Sequence, residues 1–145
     1  MVIEKLKLEY IDQLIELYKD ISPIKNSIEK TRKTYEDIIN NDDYLLLVAR
    51  ENEEILGTAT GICCTSLACN GHPFLVIEDV VVKSNLRNSG IGTKLFEEME
   101  KYAEKKDCAY GLIVSSSFRK NAHKFYEKMG FVDDVRGFRK IRIEE

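Results

Sequence analysis

The chain has 145 residues, 43% hydrophobic and 32% charged, with a formal net charge of −3. That length suits one domain with a single ordinary core. The charged fraction and the longest unbroken apolar run, Tyr44 to Ala49, exclude a membrane span of about 20 apolar residues, and no basic block marks a nucleic-acid surface.

In chain order, the start reads as a short strand. Leu8, Ile11, Leu14, Ile15, Tyr18 and Ile21 then follow helical spacing, which stops at Ser22-Pro23. A second helix is expected after Ser27 as N-cap, with Ile28, Tyr35, Ile38 and Ile39 inward, ending near Asn40-Asn41. Tyr44 to Arg50 reads as a buried strand, and Ile55 to Thr65 as its antiparallel partner across the Glu51–Glu54 turn. Phe74 to Lys83, rich in Val, Ile, Leu and Phe, reads as a central strand covered on both faces. A glycine-bearing loop opens a long helix with Ile91, Leu95, Met99, Tyr102 and Ala103 on one face. Tyr110 to Ser115 is a further strand. Ser117 is the expected cap of a last helix carrying Ala122, Phe125, Tyr126 and Met129 and closed by Gly130. Phe131 to Ile143 suggests two short strands hinged at Arg136-Gly137. The whole describes a single-domain α/β fold over residues 1–145, a mixed sheet with helices on both faces and a βαβ unit in its second half.

The loop between the central strand and the long helix carries the most chemistry. Val80-Val81-Val82 leads into Arg87-Asn88-Ser89-Gly90-Ile91-Gly92-Thr93. Free N–H groups at a helix start favour an anion, and Gly90 and Gly92 would let a phosphate approach the backbone. Lys83, Arg87 and Lys94 add positive charge, and residues 83–94 contain no acid. Residues 1–60 hold 13 acids and 8 bases, whereas 61–145 hold 12 acids and 14 bases, so an anionic ligand is expected against the second half. The loop lacks the Gly-Lys-Ser/Thr of a triphosphate-binding loop and the G-x-G-x-x-G of a dinucleotide site.

Arg87-x-x-Gly90-x-Gly92, after a strand and opening a helix, resembles the acyl-CoA signature of the GNAT superfamily of N-acetyltransferases. About 30 residues on, Asn121-Ala122-His123-Lys124-Phe125-Tyr126-Glu127-Lys128-Met129-Gly130-Phe131 resembles the family's N-x-x-x-F-Y-x-x-x-G-F motif. The element order fits over nearly the whole chain. Asn88 stands where many members carry Gly, a departure of little consequence where the backbone does the binding. Glu78-Asp79-Val80-Val81-Val82 is also similar to the strand of glucosamine-phosphate N-acetyltransferases.

The resemblance implies transfer of acetyl from acetyl-CoA, as co-substrate, to an amine. It places the pantetheine arm along Val80 to Val82 and the diphosphate on Arg87, Asn88, Ser89, Gly90, Ile91, Gly92 and Thr93. Asn121 matches an amide side chain that contacts CoA, and an amide near Val80 would polarise the thioester carbonyl. Tyr126 matches the tyrosine used as general acid toward the sulfur, the alternative being a core aromatic. Direct transfer needs a neutral, oriented amine, a donor for the oxyanion and protonation of the departing thiolate. Glu78 is the candidate base, directly or through water, with amine anchoring or a structural ion pair as alternatives. In some members the base lies two residues earlier, where this chain has Val76, and His72 and His123 are further candidates. Because neighbouring strand residues face opposite ways, only one of Glu78 and Asp79 is expected to face the amine. Asp20 to Ser27 and Cys69 to Pro73 are expected to wall the acceptor pocket.

Cys63, Cys64, Cys69 and Cys108 show neither zinc-ligand nor redox spacing, no metal site is expected, and nothing marks Cys108 as an activated nucleophile for His123 to serve. The opening residues lack the layout of a secretion signal, so reduced thiols and a cytoplasmic location are expected. The expected acceptor is a small-molecule amine. A protein lysine or N-terminus, or a non-catalytic acyl-CoA-binding module, are the alternatives. Exposed C-terminal strand edges leave a homodimer open.

Overall fold

The computed structural model describes residues 1–143. Five strands form one sheet in the order β1-β2-β3-β4-β5: β1 (Val2–Lys5), β2 (Tyr44–Glu51), β3 (Glu54–Cys64), β4 (Phe74–Val82) and β5 (Gly111–Ile113). The first four are antiparallel neighbours, and β4 and β5 pair in parallel. Four α-helices cover the sheet: α1 (Ile11–Tyr18), α2 (Ile28–Ile38), α3 (Ile91–Lys105) and α4 (Lys120–Lys128).

Alternation along the strands splits the core in two. Leu47, Ala49, Leu56, Ala59, Leu75 and Ile77 pack with Ile91, Leu95, Phe96 and Met99 of α3 and Tyr126 of α4. Val48, Ile55 and Val81 face the other way, onto Leu6, Tyr10, Ile11, Leu14 and Leu17. The sheet is therefore sandwiched, as the apolar period of both strands and helices requires. Ser27 caps α2, its hydroxyl accepting from the Lys30 N–H at 3.2 Å.

Two expectations are corrected here. Ser117 does not cap α4, which begins after Arg119 without a side-chain cap bond. Its other end does close on Gly130 (φ 96°), where Gly130 N–H donates to Glu127 and Phe131 N–H to Tyr126, both at 3.0 Å. The expected C-terminal strands are also absent from the described residues: 131–143 contain neither strand nor helix. The spacing explains it. Val132, Val135, Phe138 and Ile141 recur every third residue, so in a strand they would alternate between faces instead of sharing one. All four are exposed, Phe138 at 90%.

Replacing the fully buried Leu95 by Ala should cost about 2–5 kcal/mol of unfolding free energy, read from urea denaturation. Ser27→Ala, which removes one cap bond on an exposed helix, should cost about 1 kcal/mol in the same assay.

Candidate active site

The site begins where β4 stops behaving as a regular strand. Thr60 of β3 pairs with Glu78, but the next aligned pair is Thr58 with Val81, so Asp79 and Val80 together oppose Ala59. This is a β-bulge. Asp79 occupies the left-handed region, with φ 55°, which Asp tolerates better than most non-glycine residues. The extra residue reverses the strand's facing. Before it, Leu75 and Ile77 face α3; after it, Val80 and Val82 do, and Val81 turns to the α1 side.

The bulge coincides with a divergence. β5 pairs with β4 only at Leu75, Val76 and Ile77, whereas β4 continues to Val82. A cavity of about 680 Å³ opens in the resulting cleft. Ile77, Glu78, Asp79 and Val80 line one wall; Ile113 to Ser117, Arg119 and Tyr126 line another; Ile21 and residues 137–140 complete it.

Glu78 and Asp79 thus border the same cavity, and the expectation that alternation would separate them is overturned by the bulge. Burial raises the Glu78 carboxyl above the usual range, and the neighbouring Asp79 charge raises it further. Asp79 is raised by burial alone. Both residues are nonetheless exposed to solvent through the mouth of the cleft. The Tyr18 hydroxyl lies beneath Asp79 and Thr60; burial and then the Asp79 charge hold it far above the phenol range, against a lowering hydrogen bond with Thr60.

Tyr126 is a core aromatic that also borders the cavity. Its residue is 8% exposed, and its ring lies against Phe96 (5.9 Å between centroids) and Phe125 (5.8 Å) within the core. It also borders the cavity, near Glu78 and Arg119. Burial raises its hydroxyl, Arg119 opposes that, and Glu78 adds to it, so the phenol is protonated at neutral pH.

The α3 N-terminus follows a short 3-10 turn, Ser84–Leu86, that carries the chain from β4. The first bond of the helix ladder runs from Lys94 N–H to the Gly90 carbonyl at 3.2 Å, so the N–H groups of Ile91, Gly92 and Thr93 point out of the helix end. Gly90 is required there by its φ of 89°, and Ser89 turns its hydroxyl onto the Leu86 carbonyl. Gly92 also has a packing role. A Cβ on it would sit 3.1 Å from the Phe125 ring, so its small size lets α4 pack on α3. Two of the three local bases meet acids from the first half of the chain: Lys83 pairs with Glu54 at 3.1 Å and Arg87 with Asp20 at 3.7 Å.

Other candidates fall elsewhere. Val76 lies within the paired part of β4, between Ile62 and Leu112. His72 is tied to Asp107, 3.0 Å from its carbonyl, and the Cys69–Pro73 turn lies at the start of β4, away from the cavity. The tail residues 137–140 form the wall instead. His123 meets the Ser116 carbonyl at 2.9 Å and braces the segment before α4. Asn121 is exposed on the first turn of α4, outside the cavity. Cys108 is pushed up to about 11, first by burial and then by Cys63, the opposite of an activated thiol. Sequence reasoning missed Ser115, Arg119, Arg139 and Lys140 as lining residues. Their only sequence signal is their place just before α4 and in a basic stretch of the tail.

The raised carboxyls also couple stability to pH. Above the unfolded-state carboxylate range of about 4, the native protein holds more protons than the unfolded chain until Glu78 and Asp79 ionise, so this pair lowers stability as pH rises through that window. The double variant Glu78→Gln with Asp79→Asn should melt at a higher temperature than the parent at pH 7, with the gap closing toward pH 4. An equal melting temperature at pH 7 would count against desolvated carboxylates.

A model of the Acetyltransferase (GNAT) family matches residues 11–131. Over 132 residues the chain is 28% identical to the uncharacterized N-acetyltransferase YhdJ of Bacillus subtilis (strain 168), covering 89% of this chain and 92% of that protein. It is 31% identical over 106 residues to N-alpha-acetyltransferase 30 of Homo sapiens, which is 73% of this chain and 29% of that much longer protein. The fold is that of glucosamine-6-phosphate N-acetyltransferase from Arabidopsis thaliana, with a TM-score of 0.86, 24% identity and 97% of each chain covered. With four-fifths of its length inside the family match, the chain belongs to the GNAT family, and its activity class is that of an acetyl-CoA-dependent N-acetyltransferase.

Proposed function

We propose that the protein transfers the acetyl group of acetyl-CoA directly to a primary amine of a small molecule. One observation carries the reading: a cleft between β4 and β5 brings Glu78, Asp79, Val80 and Tyr126 around a single cavity.

The residues present suit acetyl-CoA. β4 runs beyond its last partner on β5, leaving a strand edge for an extended amide-bearing arm. The α3 start presents N–H groups from Ile91 to Thr93, with Arg87 and Lys94 beside them, for a diphosphate. Arg87, Asn88, Ser89 and Gly90 complete that cradle, Val80 to Val82 form the strand edge, and Asn121 on α4 is a side contact. When bound, the co-substrate supplies an acyl carbon open to attack and a thiol leaving group.

The protein's own part is positioning and proton transfer. The Val80 N–H is assigned as the donor for negative charge developing on the acyl oxygen. Glu78, raised by its setting, is suited to draw a proton from an ammonium group, directly or through water. Tyr126 is assigned the proton delivered to sulfur. A phenol near ~10 gives its proton to a thiol near ~8.5 only late, as thiolate charge builds.

The likeness to N-alpha-acetyltransferase 30 supports a second acceptor, a protein N-terminus. A purely acyl-CoA-binding module would need neither Tyr126 nor Glu78. The exposed apolar tail supports a homodimer, and four free cysteines suit a reducing cytoplasm.

Thiol release from acetyl-CoA, measured over amino sugars, polyamines, amino acids and N-terminal peptides, tests the function. Release with small amines supports the reading, release with peptides alone supports the second acceptor, and CoA binding without release supports the module. Tyr126→Phe should lower kcat by about 10- to 1000-fold with little change in the KM for acetyl-CoA. An unchanged rate would remove Tyr126 from the mechanism. By calorimetry, Lys94→Glu should weaken CoA binding several-fold in low salt, and less as salt rises.

A further inference from the structure

The lining of the cavity is divided by charge along the chain. β4 contributes the two carboxylates, Glu78 and Asp79. The segment before α4 and the tail contribute three cations, Arg119, Arg139 and Lys140. Among the described residues, none of these cations takes part in an ion pair. They are also separate from the α3 start, because Arg87, Lys94 and residues 88–93 do not line the cavity. The diphosphate of the acyl donor already has backbone amides and its own bases there, so the cavity cations are surplus to it.

Two further observations mark this wall as built. The tail, though exposed, closes on the wall at one point: a Cβ on Gly137 would stand 3.1 Å from the Val114 side chain, and Phe138, Arg139 and Lys140 follow it along the cavity. Ser115, on the same wall, has a buried hydroxyl oxygen without a hydrogen-bond partner among the described residues. Such a group is costly unless water or a ligand satisfies it.

We infer that the acceptor is a primary amine that also carries an anionic group, a phosphate or a carboxylate. Glu78 and Asp79 receive its ammonium end, and Arg139 and Lys140, with Arg119 and the Ser115 hydroxyl, hold its anion. The inference rests on the acetyltransferase reading and narrows its substrate class. It also gives the tail a role: without residues 137–140 the anion would meet Arg119 alone among the cavity cations. A protein N-terminus, which offers no fixed anion beside its amine, fits this wall less well.

The test compares three acceptors of equal chain length, an aminoalkyl phosphate, an aminoalkyl carboxylate and an aminoalkyl alcohol, by thiol release with acetyl-CoA. The KM of at least one anionic amine should lie about ten-fold below that of the alcohol, and the ratio should shrink with added salt. Whether phosphate or carboxylate leads identifies the anion. Arg139→Ala with Lys140→Ala should bring the ratio toward one, and the exchange Arg139→Lys with Lys140→Arg should retain most of it. A neutral acceptor as good as the anionic ones overturns the inference. So does an equal rise in both acceptor KM values, or a rise in the KM for acetyl-CoA matching that for the acceptor. Acetyl transfer to none of the three, with acetyl-CoA binding and transfer to another amine intact, overturns the inference and leaves the transferase reading standing. Loss of transfer to every amine strikes that reading instead.

Discussion

One extra residue in β4 organises the site. The bulge at Asp79 and Val80 reverses the strand's facing, while pairing with β5 stops just before it, at Ile77. A regular strand would have sent Glu78 and Asp79 to opposite sides of the sheet. The bulged strand instead brings both carboxylates to one cleft and leaves its last residues free along an edge. Asp79 holds the left-handed backbone this requires, and the flanking Ile77 and Val81, buried on opposite faces, hold the distortion in place.

Two kinds of charged setting follow. At the α3 start the positive end is made of backbone N–H groups that no sequence change short of proline can remove, with Lys94 and Arg87 as supplements. The cavity instead carries its charge on side chains, Glu78 and Asp79 against Arg119, Arg139 and Lys140. Burial raises both carboxyls, which makes each a stronger base than an ordinary carboxylate. The core supports both. Phe96 carries Tyr126 and Phe125, Gly92 admits the Phe125 ring, and the closing turn at Gly130 bonds back to the Tyr126 carbonyl. Tyr126 thus borders the cavity while its ring belongs to the core.

Much of this was legible beforehand. The helical spacing of α1 and α3, the Ser27 cap, the β2–β3 hairpin and the glycine at the end of α4 follow from period and local steric rules. The motif around Arg87 to Thr93 and the run Asn121 to Phe131 pointed to the family, and both lie within the family match. The misreadings share a cause. Strict alternation placed Glu78 and Asp79 apart because a bulge depends on how β3 and β4 pair, not on either strand alone. The tail was read as strands because its residues are β-formers, although their spacing of three suits no single face. The packing role of Gly92 is illegible for the same reason, since its neighbour Phe125 lies 33 residues away in sequence.

The sequence by itself therefore determined most of the elements, their order along the chain and the charge division between the two halves, because those depend on residues close together along the chain. Its net charge of −3 concealed a local arrangement that the tertiary structure alone decided. Asp20 and Glu54 neutralise two of the bases near the α3 start, while Arg119, Arg139 and Lys140 gather opposite the carboxylates of β4. The reason is physical: electrostatic and steric complementarity act through space, and only strand pairing and helix packing bring Asp20 beside Arg87, Glu54 beside Lys83, and Glu78, Arg119 and Arg139 to one cavity.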